Sequence, residues 1–177
     1  MPAKVIPREF SGDAATLRQQ SQRIVDALIE LGTTHAVGVP DNATRIVYEL
    51  LEAEPRVQVV PVCREGEAWA IASGLWAGGR EPVVIIQNTG LFESGDALRG
   101  TAIEMGVPLL AVMDYRGHHT LGGPADAIDS AAAFFEPTLR AWQVPYHFLE
   151  DHEEVRIMAD AKREAEKRGG PVAVLMR

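Results

Sequence analysis

The chain has 177 residues, of which 46% are hydrophobic and 24% charged, and its formal net charge is −8. That length fits one domain with a sizeable core, and the acidic balance argues against nucleic acid, which rewards a basic surface. The one cysteine, Cys63, excludes an internal disulfide framework and a multi-cysteine metal site. No apolar run is long enough to span a membrane, and the start Met1-Pro2-Ala3-Lys4 lacks the apolar core of a signal peptide. A cytoplasmic protein is expected, its acids spread along helices as a solvated surface.

In chain order, residues 1–10 read as a leader. Ser11 is a helix N-cap ahead of Asp13. Leu17, Ile24, Leu28 and Leu31 recur at helical spacing, and Gly32 stops that helix. A strand over residues 34–39 closes on Pro40-Asp41-Asn42, and a helix carrying Ile46, Val47, Leu50 and Leu51 ends near Pro55. A strand over 57–62 leads into a helix from Glu65 to Gly78-Gly79. The apolar run 82–86 suits a strand covered on both faces. Asn88-Thr89-Gly90 should break it, with a helix over 94–104. A fourth strand (108–113), a long loop from Asp114 to about Ala127, a helix over about 129–142, a short strand (146–149), a helix ending at Gly169-Gly170 and a last strand (171–176) follow. Alternating strands and helices predict an α/β fold: a doubly wound, mainly parallel six-stranded sheet with helices on both faces.

Ligands of such sheets bind where strands end and helices begin. Four places there carry chemistry. Glu65 opens a helix of small residues (Ala68, Ala70, Ala72, Ser73, Gly74 and Ala77), which would let another backbone approach. It is either a buried acid facing a partner or a surface acid at a helix N-terminus, favoured there by the dipole; Glu67 points elsewhere. Asp41 and Asn42 could contact a substrate or cap the next helix. Gln87, Asn88 and Thr89 offer amide and hydroxyl groups beside Gly90, which permits a tight turn. His118 and His119 sit in the glycine-flanked run Arg116-Gly117-His118-His119-Thr120-Leu121-Gly122-Gly123 and could donate protons or bind anions near neutral pH. No metal site is expected. Arg64, Arg99 and Arg116 are the cations nearest these loops.

From Cys63 to Gly74, an acid followed by small residues and a glycine nine positions on resembles the first strand-to-helix junction of the pyrimidine-binding (PYR) domain of thiamine-diphosphate enzymes. Gln87-Asn88-Thr89-Gly90-Leu91 resembles the corresponding loop of sulfopyruvate and phosphonopyruvate decarboxylases. Gly-Val-Pro-Asp and the closing Pro-Val-Ala-Val-Leu extend the likeness over about residues 24–176. His-His-Thr-Leu-Gly is instead similar to pyruvate decarboxylases, where a histidine pair lines the active site.

The resemblance implies a PYR domain over residues 11–177. Glu65 would be catalytic, bonding the cofactor's aminopyrimidine, with His118 and His119 as further catalytic groups. Gln87 and Asn88 would bind cofactor, and Asp41, Asn42 and Arg116 substrate. The cofactor would be thiamine diphosphate with Mg2+, but the Gly-Asp-Gly motif that holds the metal is missing: Gly12-Asp13-Ala14 and Gly95-Asp96-Ala97 lack the third glycine. The resemblance therefore implies half an active site, in a hetero-oligomer whose beta subunit carries the diphosphate-binding domain and the Mg2+. The expected activity is decarboxylation of a small 2-oxo acid, sulfopyruvate first, with phosphonopyruvate or another 2-oxo acid as alternatives. A non-catalytic PYR-like binding module is the alternative from another class.

Overall fold

The computed structural model describes residues 14–177; the expected leader over 1–10 and the Ser11 cap lie outside the described residues. The order is α1 (Ala14–Glu30), β1 (His35–Gly38), α2 (Arg45–Glu52), β2 (Gln58–Pro61), α3 (Glu65–Ala77), β3 (Pro82–Gln87), α4 (Asn88–Ala97), β4 (Leu110–Asp114), α5 (Ser130–Ala141), β5 (Tyr146–Phe148), α6 (Glu154–Arg168) and β6 (Val172–Met176). The six strands form one sheet, ordered β2-β1-β3-β4-β6-β5, and every pair is parallel.

Strand periodicity divides the core into two layers. Val84, Ile86, Ala111, Met113, Ala173 and Leu175 face one way, against α3, α4 and α5. Their neighbours Val83, Ile85, Leu110, Val112, Val172 and Val174 face the other way, against α1, α2 and α6. Because both faces are covered, the central strands read as unbroken apolar runs. The doubly wound expectation holds, with element boundaries differing by a few residues.

One expectation holds only in part. Asn88-Thr89-Gly90 does end the strand, but not in a loop: β3 passes directly into α4 at Asn88, ahead of the helix expected from 94, and the helix continues as a π-helix over Leu98–Ile103, where Glu104 N–H reaches back five residues to the Arg99 carbonyl. The reason is a close approach. A Cβ on Gly90 would lie 2.4 Å from Cγ of Glu65, so this glycine makes room for a neighbouring helix rather than for a turn.

The strand order reverses around β1, whose chain goes out to β2 and returns to β3 on the opposite side. The crevice at the carboxyl ends of β1 and β3 is therefore a switch point, where doubly wound sheets hold ligands.

Candidate active site at the carboxyl edge of the sheet

Asp41, in the turn after β1, and Gln87, at the end of β3, meet across the switch point: Gln87 Nε2 donates to Asp41 Oδ2 at 2.7 Å. The other oxygen of Asp41 accepts from the backbone N–H groups of Ala43 and Thr44 and from Thr44 Oγ1, each at 2.9 Å. Asp41 thus builds the turn that starts α2 and also orients Gln87. The Gln87 Oε1 accepts from Thr89 Oγ1 at 2.8 Å, so this amide is held at both ends. Asn42 is exposed and lines the cavity described below.

After β4 the chain bends at Gly117, where φ is +79° and a Cβ would meet Cβ of Asp129 at 2.6 Å. Glycine is the residue that tolerates this conformation. His118–Thr120 then form one 3-10 turn. Thr120 Oγ1 ties that turn down: it donates to the Gly117 carbonyl at 2.7 Å and accepts from Asp129 N–H at 2.9 Å. Asp129 is buried, caps α5 through Ala131 N–H at 2.9 Å, and faces Arg116 Nε at 3.5 Å. Arg116 is more exposed than its partner, with 41% of its side chain accessible, so its cation keeps donors free.

His118 is half-buried, edge-on to Tyr115 at 4.9 Å between ring centroids and 6.3 Å from Phe148. Burial, then the nearby Arg177 charge, hold its imidazole below the usual pKa, with Glu136 opposing. His119 is exposed.

Asn42, Gln87, Arg116, His118 and His119 all line one cavity of about 480 Å³. Asp114 lines it as well, although nothing in the sequence marks that residue beyond its place at the end of an apolar run. Burial pushes the Asp114 carboxyl up to about 7; the charge of Asp41 adds to this, while the Arg116 charge and backbone N–H work against it. Leu17 and Ile24 of α1 and Val47 of α2 provide apolar wall. A pocket of this size with a few polar groups at a switch point suits a small ligand.

Glu65 lies elsewhere. It is half-buried at the start of α3, seated on Gly90 of α4, and is not part of the cavity wall. Among the described residues its carboxylate has no hydrogen bond or ion pair. The helix N-terminus around it is satisfied by other acids. Glu67 Oε2 accepts from the backbone of Cys63 and Arg64 at 3.1 and 3.2 Å, and Glu93 Oε2 accepts from Gly66 N–H at 2.7 Å. Hydrogen bonds from Gly66 and Arg64 keep the Glu93 carboxyl below its usual range. With Glu67 and Glu93 doing the capping, Glu65 is left as an available acceptor.

Asn88 is fully buried; its Nδ2 donates to the Arg116 carbonyl at 2.9 Å, and its Oδ1 has no partner among the described residues. It ties the first turn of α4 to the histidine loop. Of the other candidate cations, Arg64 pairs with Glu93 at 2.6 Å. Arg99 pairs with Asp96 and Glu104 at 2.7 and 2.6 Å, so Gly95-Asp96 is helix surface rather than a metal loop. Among the described residues no group of three or more His, Cys, Asp or Glu is placed to hold a metal, and no helix is long and apolar enough to cross a membrane.

A doubly wound parallel domain with a polar cavity at its switch point and an unpaired glutamate at a neighbouring helix start is the architecture of a cofactor- or substrate-binding α/β domain. The family model for the thiamine pyrophosphate enzyme, N-terminal TPP binding domain, matches residues 18–133; the chain belongs to that family. It is 25% identical over 157 residues to the sulfopyruvate decarboxylase subunit alpha of Methanococcus maripaludis, covering 88% of this chain and 93% of that one. It is 30% identical over 97 residues to the same subunit of Methanothermobacter thermautotrophicus, where the match spans 55% of this chain and 59% of that protein. The phosphonopyruvate decarboxylase of Streptomyces viridochromogenes is 26% identical over 153 residues, a match that covers 71% of this chain and 38% of that protein. The fold is similar to a 2-oxoglutarate:ferredoxin oxidoreductase from Magnetococcus marinus, with a TM-score of 0.68 at 20% identity, over 88% of this chain and 28% of that one.

Proposed function

We propose that the chain is the PYR-domain subunit of a thiamine-diphosphate-dependent 2-oxo acid decarboxylase, acting on sulfopyruvate to give sulfoacetaldehyde and CO2. The observation that carries this reading is the similarity to a sulfopyruvate decarboxylase alpha subunit over nearly the whole of both chains. A beta subunit would supply the diphosphate-binding domain and hold Mg2+, in a cytoplasmic hetero-oligomer.

The residues fit the pyrimidine end of the cofactor. Glu65 presents an unpaired carboxylate, and Gly90 removes the side chain that would displace it. When bound, the cofactor supplies the nucleophilic carbon and the electron sink for decarboxylation; Glu65 would hold and exchange a proton at the pyrimidine ring nitrogen. Asn88, whose buried Oδ1 is left without a partner among the described residues, ties the first turn of α4 to the histidine loop.

Arg116 would bind the substrate's second anionic group, since a guanidinium fork suits a sulfonate or phosphonate. Asn42 and the Asp41-oriented Gln87 would position the 2-oxo acid, and His118 and His119 would line its path. Co-purification of the chain, followed by mass spectrometry, tests the assembly. A partner bearing Gly-Asp-Gly is expected; a chain that comes out alone and binds no thiamine diphosphate would instead favour the non-catalytic module. Arg116→Ala in the reconstituted pair tests the substrate. Turnover of sulfopyruvate should fall about 10-fold or more, as loss of a charged hydrogen bond predicts, while pyruvate should be little affected. An equal effect on both would remove Arg116 from the sulfonate and leave phosphonopyruvate or a plain 2-oxo acid no worse a substrate.

A further inference from the structure

Decarboxylation of a 2-oxo acid to an aldehyde consumes one proton. The bond from the keto carbon to the carboxylate breaks, CO2 departs without the electron pair, and a new C–H bond forms at that carbon. A cavity group that is protonated at neutral pH could supply it directly. The histidines are weak candidates: His118 is held below its usual pKa by burial and by Arg177, and His119 lies exposed at the rim.

We propose that Asp114 is a further catalytic residue, whose carboxyl delivers this proton from the floor of the cavity at the end of β4. The inference rests on the decarboxylase reading above. Asp114 is in register with Gln87 on one side and Met176 on the other, and all three line the cavity. Gln87, the register neighbour of Asp114, commits its amide to Asp41 at 2.7 Å. Asp41 has both oxygens filled by N–H and O–H donors, and its charge disfavours a second carboxylate nearby. The Asp41 charge thus favours the protonated form of Asp114.

The groups that face this carboxyl are Asp41 from the β1–α2 turn and Arg116 from its own loop. His118, His119, Asp129, Asp151, Glu154 and Arg177 are the other titratable or charged residues of the cavity wall. Burial, with Asp41 helping and Arg116 opposing, brings Asp114 to about 7, where a general acid is both protonated and able to let go. After the transfer, Asp114 is left as a carboxylate and regains its proton from solvent through the open cavity.

The test uses the assembled pair with thiamine diphosphate and Mg2+, sulfopyruvate as probe, and separate measurement of CO2 and aldehyde in a single turnover. Asp114→Asn should release CO2 at close to the wild-type rate while aldehyde formation slows by about 10²-fold, the usual worth of a positioned acid. Asp114→Glu, which keeps a carboxyl, should restore much of the aldehyde rate. Aldehyde formation undiminished in Asp114→Asn, or CO2 and aldehyde falling together, would overturn the assignment. If neither variant assembles with the partner, the wild-type aldehyde step decides: it must fall as pH rises through about 7, and a flat profile there sinks the proposal. A wild-type pair that releases no CO2 from sulfopyruvate, phosphonopyruvate or pyruvate would refute the decarboxylase reading itself, before any variant is compared.

Discussion

Glu65 rests on Gly90: a β-carbon at position 90 would stand 2.4 Å from Cγ and 2.8 Å from Oε1 of the glutamate. Gly90→Ala should therefore move Glu65 even though alanine is the better helix former by about 1 kcal/mol. Overpacking of this kind costs about 1–3 kcal/mol, so a lower melting temperature is expected together with weaker binding of thiamine diphosphate to the assembled pair. Gly74→Ala is the control. That glycine has open space around it, and the change should leave melting of the isolated chain unchanged or slightly raised.

Glu65→Gln separates stability from chemistry. The carboxylate has no partner to lose among the described residues, so melting should shift by less than about 0.5 kcal/mol. Turnover of the pair should fall about 10²-fold or more, as for loss of a proton-exchanging group. Full decarboxylation by this variant, measured as CO2 release, would remove Glu65 from the mechanism.

Asp129 joins α5, the histidine turn and Arg116 at one point. Asp129→Ala removes the cap on Ala131 N–H and the neighbour of Arg116. About 1–2 kcal/mol of stability should go with the cap, read by denaturant unfolding, and KM for sulfopyruvate should change because Arg116 is no longer oriented.

Two acids in the same region should titrate with opposite signs. Burial works to raise Glu154, but the 2.7 Å bond from Arg23 and backbone N–H donors outweigh it, and the carboxyl sits below its usual range. A depressed acid stabilises the fold above the unfolded pKa of about 4.3 and loses that contribution as pH falls through its folded value. Glu154→Gln should lower the melting temperature by several degrees at pH 7, with the difference closing in acid. Asp114 is raised to about 7, so its penalty grows from the unfolded value near 3.9 upward and is complete above the folded one. Asp114→Asn should therefore stabilise the chain at pH 8 and have little effect near pH 4, as measured by differential scanning calorimetry.

Tyr48 tests how tightly the switch point is built. Its buried hydroxyl donates to the Ile85 carbonyl at 2.8 Å, in space that Gly38 leaves open, since a Cβ there would lie 1.9 Å from that oxygen. Tyr48→Phe should cost about 1 kcal/mol, and Gly38→Ala more, both read by chemical denaturation.

The order of elements, the two covered faces and the parallel sheet were legible in the sequence because they rest on local periodicity. Val83–Ile86 and Leu110–Met113 are apolar throughout and covered on both sides, and such runs identify a buried parallel strand without reference to the rest of the chain. Candidate residues at strand ends were legible for the same reason: Asp41, Asn42, Gln87, Arg116, His118 and His119 all end or follow a strand, and five of the six line one cavity.

What the tertiary structure alone decided concerns contacts between residues far apart in sequence. Asn88-Thr89-Gly90 has turn composition, yet it forms helix, because a glutamate twenty-five positions earlier occupies the space a side chain would need. Glu93 takes the Gly66 N–H at the start of α3, beside the local cap from Glu67, and only the packing of α4 on α3 shows it. Asp114 is one aspartate among many in the sequence; its altered proton affinity comes from burial and from Asp41 on another strand's turn. Helix and strand periods are written in neighbouring residues, whereas desolvation and close approach depend on what the fold brings alongside.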